Sequence, residues 1–374
     1  MHRKNYYLSP IIFLQLSLLI LTVQASCQEN SRLKLVFAGD IMGHDTQIAS
    51  AKAVGKGEYD YSSCFKLLSP YISEADIAIG NLEVTLAGAP YKGYPAFSSP
   101  DALAVELKEA GFDILVNANN HALDRKKEGL ERTLKVLDSL GIVQTGVFED
   151  LRDRQTRFPL IVEKNGIRLA ILNYTYGTNG IKTVPPNIVN YIDSTSLTND
   201  LMKAKTANPD FIIALMHWGL EYQRTENEEQ AELATFLLEN GTDLIIGSHP
   251  HVVQPIREYD SNKLVVYSLG NMISNQRKRY TDGGILVDVT LEKKEKVRIM
   301  KYNYLPVWVH KAVTDEGTAF CLIPANIDAS AWNTLLLTPE DAESMKTFLN
   351  DTRKNLPGIP EKVLNFDPSE LNIF

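Results

Sequence analysis

The chain has 374 residues but only three cysteines and three tryptophans. So few cysteines exclude a disulfide scaffold. Cys27 lies near the start, which leaves Cys64 and Cys321. In an oxidising compartment these two could pair or stay as separate thiols, and nothing in the sequence brings them together. Basic residues are in deficit, 38 lysines and arginines against 46 aspartates and glutamates, for a formal net charge of -8. That balance argues against nucleic acid as a partner, because such binding draws on phosphate charge. It does not exclude an anionic substrate at a metal, which inverts the local field. No G-x-x-x-x-G-K-[ST] loop and no G-x-G-x-x-G turn is present, so there is no visible ATP or dinucleotide site. No H-E-x-x-H helix and no G-x-S-x-G elbow is present either. An energy-using ligation would have to come from another chain.

What is there reads as a globular, exported protein. Hydrophobic residues make up 44% of the chain and charged residues 22%, an ordinary balance with ample material for a core. The chain begins with the basic run His2-Arg3-Lys4, followed by an apolar stretch from about Leu8 to Val23 that Pro10, Gln15 and Ser17 interrupt. This is the pattern of a secretory signal over residues 1–27. The stretch falls short of the roughly 20 apolar residues of a spanning helix, though an uncleaved anchor is the alternative. Val23-Gln24-Ala25 fits ordinary cleavage, while Cys27 resembles a bacterial lipoprotein cysteine, with Gln24 departing from the usual lipobox. The otherwise unneeded Cys27 favours a membrane-anchored lipoprotein, periplasmic or at the cell surface, with residues 28–32 as a tether.

From Leu33 onward short apolar runs alternate with helical patterns. Strands are predicted at Leu33–Ala38, Ile77–Ile79, Ile114–Val116, Arg168–Asn173, Phe211–Leu215, Leu244–Ile246 and Leu264–Ser268. Helices are predicted at Ser63–Glu74, Asp101–Ala110, Glu128–Leu140, Leu201–Ala207 and Asn227–Glu239. That alternation predicts an α/β sheet covered by helices. Beyond about Gly283 the texture changes to a hairpin, Ile285–Thr290 and Val297–Tyr304, and a helix near Pro339–Leu349. The reading is one main domain over residues 33–282, with 283–374 as a β-hairpin and helical extension packed on it.

The chemistry-bearing residues collect at strand ends, where open α/β sheets place their ligands. Asp40 follows the first strand, Asn81 and Glu83 the second, Asn120 and His121 the third. His217 follows Met216, and His249 and His251 follow Gly247. Of seven histidines, all but His2 and His310 lie in these clusters. Singly each cluster has a plain reading: a turn, a helix cap, a satisfied core histidine. His249 and His251 are stronger, since two histidines two apart in an extended segment point the same way and reach one metal or one phosphate. Together the clusters predict a metal or phosphate site.

The ordered blocks Gly39-Asp40-Ile41-Met42, Gly80-Asn81-Leu82-Glu83, Asn119-Asn120-His121-Ala122-Leu123-Asp124, Met216-His217-Trp218-Gly219, Gly247-Ser248-His249-Pro250-His251 and Ser268-Leu269-Gly270-Asn271 resemble the CapA family of bacterial capsule proteins, associated with poly-γ-glutamate synthesis. That family is in turn similar to the calcineurin-like metallophosphoesterases. The resemblance implies a two-sheet sandwich flanked by helices, with metal held at strand ends. It implies Asp40, Asn120, His217, His249 and His251 as ligands and His121 over the substrate. With a metal bound, His121 would act beside Asp40 as a general acid or as a stabiliser of developing charge, and Glu83 is a further candidate ligand. Two positions depart from the phosphoesterase pattern. Met42 stands where a histidine is usual, with His44 nearby, and Asn81 stands where a bridging aspartate is usual.

A mixed oxygen and nitrogen set suits manganese, iron or zinc better than calcium. Candidate substrate contacts are Asn81, His44, Lys92 in the loop after the second block, Trp218, Asn271 and Arg277. Arg277-Lys278-Arg279 would meet a polyanion or form a solvated turn, and Trp218 would wall the pocket or fill the core. The readings are a capsule or poly-γ-glutamate protein acting through a metallophosphoesterase-like site, a metal-dependent phosphoester hydrolase, and a non-catalytic polymer-binding or assembly subunit. Its partners would be the anionic polymer or a phosphoester, and membrane-bound capsule synthesis proteins.

Overall fold

The computed structural model describes residues 31–54, 58–260, 262–315, 317–367 and 373. The signal, Cys27 and residues 28–30 of the tether lie outside the described residues. No helix among the described residues is long and apolar enough to cross a membrane.

In chain order the strands are β1 (Ser31–Ile41), β2 (Ile77–Leu82), β3 (Ile114–Val116), β4 (Val143–Thr145) and β5 (Val147–Phe148). There follow β6 (Leu160–Lys164), β7 (Ile167–Thr175), β8 (Ile188–Val189), β9 (Phe211–His217) and β10 (Leu244–Ser248). The last are β11 (Ile256–Asp260), β12 (Lys263–Val266), β13 (Asn271–Ile273), β14 (Gly283–Lys293), β15 (Val297–Thr314) and β16 (Gly317–Pro324). One sheet runs β16-β15-β14-β1-β2-β3-β4, with β13 also paired to β1, and a second runs β11-β12-β10-β9-β7-β6. β5 and β8 form a small pair of their own.

Side-chain alternation along the strands makes the two sheets face each other. In β1, Leu33, Leu35 and Phe37 point into a core shared with Ile167, Leu169 and Ile171 of β7 and Phe211, Ile213 and Leu215 of β9. The intervening Val36 and Ala38 turn outward, onto Leu103, Leu107 and Leu137 of the covering helices. In β9, Ile212, Ala214 and Met216 likewise turn onto Leu197, Leu201, Ala234 and Leu237. Period-2 alternation thus feeds two apolar layers per strand, which is why these strands read as unbroken apolar runs. Each fully buried Leu, Ile or Phe contributes about 1.5–3 kcal/mol. The result is a helix–sheet–sheet–helix sandwich, the α/β architecture that the resemblance implied.

Differences from the sequence reading have local causes. Strands run further than predicted, β1 to Ile41 and β2 to Leu82, because their last polar residues are held inside the sheet. The predicted helix over Ser63–Glu74 is two short helices, Ser62–Phe65 and Ser69–Ser73, the second with Pro70 in its first turn, where a missing N–H costs nothing. The stretch beyond Gly283 enters the main sheet directly: β14 pairs antiparallel with β1 from Ser31–Lys293 to Phe37–Val287. β15 and β16 extend that sheet, and the helix Pro339–Asn355 packs its Met345, Phe348 and Leu349 against Trp308 and Ile323.

Candidate metal centre

The carboxyl ends of β1, β2, β3, β9 and β10 bring residues from both sheets to one place. Asp40 sits opposite Asn81 of β2 and Asn271 of β13. Its position depends on Gly39, where an added Cβ would come within 2.0 Å of the Gly270 carbonyl oxygen. Asn81 donates from Nδ2 to Asp40 Oδ1 at 2.8 Å and lies 3.3 Å from His217 Nδ1. Asn119 anchors Asn81 and the next turn, donating to Leu82 O and accepting from the His121 backbone. His251 Nδ1 meets Asp40 Oδ2 at 3.0 Å, and His217 Nε2 meets Asn120 Oδ1 at 2.8 Å.

The segment after β10 is not extended, contrary to the sequence reading. His249 has φ 98° and His251 has φ 58°, both in the left-handed region that residues with a Cβ rarely adopt. Such backbone persists only when its surroundings over-determine it, and it clusters at functional sites. Here it turns the two imidazoles to different partners. His249 groups with Glu83 and His217, while His251 groups with Asp40 and Glu83; within each group the candidate ligand atoms lie within 4.8 Å of one another. Glu83 belongs to both.

Charge within the cluster is uneven. Burial, then the neighbouring Asp40, pushes the Glu83 carboxyl well above its ordinary range. Burial opposes charge on Asp40 as well, but His251 and the Asn81 amide hold its carboxyl below the usual value. Burial and the other imidazoles carry His217 well below the ordinary histidine value, and burial with His251 takes His249 down to about 3. Neutral imidazoles are the form that ligates metal. Neither Glu83 oxygen has a hydrogen-bond partner, nor has His249 Nδ1, although all three atoms are buried. Unpartnered buried polar atoms are costly. A divalent cation fits these donors and would satisfy them.

Beside this group His121 Nδ1 meets Asp124 Oδ2 at 2.7 Å, and the same oxygen accepts from the Phe97 backbone at 2.7 Å. The Phe97 ring meets His121 edge-on at 4.7 Å. Asp124 stands in the quoted block, and its place one turn after His121 was the available sign of this role. Tyr176 stands 4.5 Å from the His249 ring, and Tyr222 lies 6.3 Å from His251. Tyr222 was not anticipated, and nothing in its sequence context marks it.

The remaining candidates are not members of the ligand groups, though Asn271 and Trp218 adjoin them. His44 Nδ1 lies 3.1 Å from Gln47 Oε1 and 3.2 Å from the Asn275 backbone nitrogen, and burial lowers its imidazole to about 4. Lys92 is exposed and pairs with Asp45 at 2.8 Å. Trp218 is buried and donates to Tyr267 O, while one side of it lines a groove beside His249. Asn271 donates to Gln276 and to Thr281 O, binding the β13 turn together. Arg277 donates to Val309 O and stands over the Phe320 ring. Cys64 and Cys321 are both free and buried.

Fold and site together define an α/β sandwich protein with a candidate divalent-metal centre at its strand ends. The chain belongs to the family described as bacterial capsule synthesis protein PGA_cap, whose model matches residues 34–276. The capsule biosynthesis protein CapA of Bacillus anthracis is 29% identical over 279 residues, covering 71% of this chain and 65% of that protein. This chain therefore spans a little under two thirds of that relative's length. The PGA biosynthesis protein CapA of Bacillus subtilis (strain 168) is 28% identical over 297 residues, covering 75% of this chain and 72% of that protein. Among solved structures, the calcineurin-like phosphoesterase YfkN of Bacillus subtilis overlaps at TM-score 0.47 with 16% identity, over 87% of this chain and 98% of that one. The NAD nucleotidase of Haemophilus influenzae overlaps at TM-score 0.47 with 16% identity, over 90% and 58%.

Proposed function

We propose that this chain is an exported capsule-synthesis protein, tethered through Cys27, whose strand-end site hydrolyses a phosphoester in the making of an anionic surface polymer such as poly-γ-glutamate. One observation carries the hydrolase reading: Glu83 is wholly buried, its two oxygens lack hydrogen-bond partners, and it belongs to both ligand groups. A carboxyl buried in this way gives up its charge unless a cation answers it, and buried oxygens without hydrogen bonds are costly in either form. Asp40, Glu83, Asn120, His217, His249 and His251 would hold manganese, iron or zinc. The metal would supply Lewis-acid polarisation of a phosphoryl oxygen and a nucleophile at neutral pH. Asn81 holds Asp40 in place. Asp124 fixes Nδ1 of His121, leaving Nε2 to pass a proton to the leaving group. Membrane-bound capsule synthesis proteins would be its partners.

The test is metal content and turnover of 4-nitrophenyl phosphate and bis(4-nitrophenyl) phosphate, read on the same samples of full-length protein and of His249→Ala/His251→Ala. Bound metal and turnover, both lost in the variant, support the hydrolase. A folded wild-type protein with neither overturns it in favour of a polymer-binding subunit.

A further inference from the structure

A groove of about 670 Å³ opens beside the ligand cluster. His249 and Tyr176 line it with their rings 4.5 Å apart, and the helix Glu228–Glu239 forms a wall. This size lies within the range of small-molecule sites. Trp218, Leu233 and Phe236 give it an apolar side. Its charge has one sign: Glu221, Glu229 and Glu232 line it, and no lysine or arginine does so among the described residues. Glu229, Glu232, Leu233 and Phe236 share one face of the helix by their spacing of three and four, so carboxylates and apolar groups stand side by side. His249, which lines the groove, is 3% exposed and its Nδ1 has no partner. The groove and the ligand cluster are thus continuous through one side chain.

Apart from a cation held at the ligand cluster, an anionic chain lying in this groove would meet three like charges and no lysine or arginine. A protonated amine would gain from the same carboxylates and from the exposed ring of Tyr176. We infer that this groove seats the non-phosphate part of the substrate, and that this part has an apolar body carrying an ammonium group. The inference rests on the hydrolase reading for the word substrate, and on the groove alone for the ligand's chemistry. The polyanionic product of the pathway is then not what this groove binds.

Three probes of one shape test it: 4-phenylbutylamine, 4-phenylbutan-1-ol and 4-phenylbutyrate, titrated calorimetrically into full-length protein. The amine should bind about tenfold tighter than the alcohol, and the acid more weakly than either. Glu229→Gln/Glu232→Gln, at exposed positions, should keep the melting temperature and lose most of that preference, as should raised salt. The amine should also raise KM for 4-nitrophenyl phosphate without lowering kcat. Equal binding of the three probes, or a preference that survives the glutamine variant, overturns the inference. Metal content measured alongside separates the two readings. Metal and turnover without amine preference sink this inference and leave the hydrolase standing. Amine preference without metal or turnover sinks the hydrolase and leaves the groove's ligand class standing.

Discussion

Glu83 Oε1 lies 3.6 Å from His217 Nε2, with both side chains fully buried. That is too long for a hydrogen bond. Both residues belong to one group of donors that could hold a cation. Glu83→Gln should therefore do two opposite things. Without metal it removes a buried acid, and the melting temperature should rise by a few degrees. With metal, stoichiometric binding should fall and turnover should go with it. Thermal melts with and without chelator, beside metal analysis, check both; a variant that binds metal like the wild type removes Glu83 from the ligand set.

The His121–Asp124 pair makes a separate prediction. The 2.7 Å contact fixes which imidazole nitrogen carries the proton. Asp124→Asn keeps the shape but offers the imidazole an amide instead of a carboxylate. Turnover should fall on the order of a hundredfold, its pH profile should shift, and metal content should hold. Loss of metal in that variant would make Asp124 a structural support of the cluster.

Much of this was legible because polar residues at the ends of apolar runs have few other uses. Asp40, Glu83, Asn120, His121, His217, His249 and His251 come together as their blocks suggested. The sequence could not show how they divide. Two histidines two apart read as one pair only while the backbone between them is taken as extended, and positive φ at both breaks that assumption. Lys92 and Arg277 looked like anion contacts by type, yet each is engaged by a neighbour far along the chain, Asp45 and Val309. Strand β11 escaped notice because four of its five residues are exposed, and its pattern is neither an apolar run nor a clean alternation. The β14–β1 pairing escaped because a non-local register leaves no trace in a hairpin's own pattern.

Asn81 occupies the place between Asp40 and His217 and contributes a neutral amide. Asn81→Asp would remove the donor to Asp40 and set a third carboxylate beside Asp40 and Glu83. Like charges at that distance repel unless a cation lies among them. Metal-free protein should melt lower than wild type, while metal affinity should rise about tenfold. The shift in melting temperature on adding metal should be larger for the variant. Equal shifts in the two proteins would show that no cation approaches Asn81.

A last prediction concerns pH and lies away from the site. Burial, then Glu109 and Asp60, raises the Glu106 carboxyl from 4.5 to about 7. The folded state therefore holds this proton more tightly than the unfolded chain does. The sign follows from linkage: the contribution is fully present below about 4.5 and is lost as pH rises through about 7. Glu106 is partly exposed, so solvent screening reduces the effect to about 1 kcal/mol. Glu106→Gln removes the titration. The variant should gain on the wild type between pH 4.5 and 7.5 and stay level above that. Urea unfolding across that range measures the difference directly, and a difference that does not change with pH would place the Glu106 carboxyl at its ordinary value.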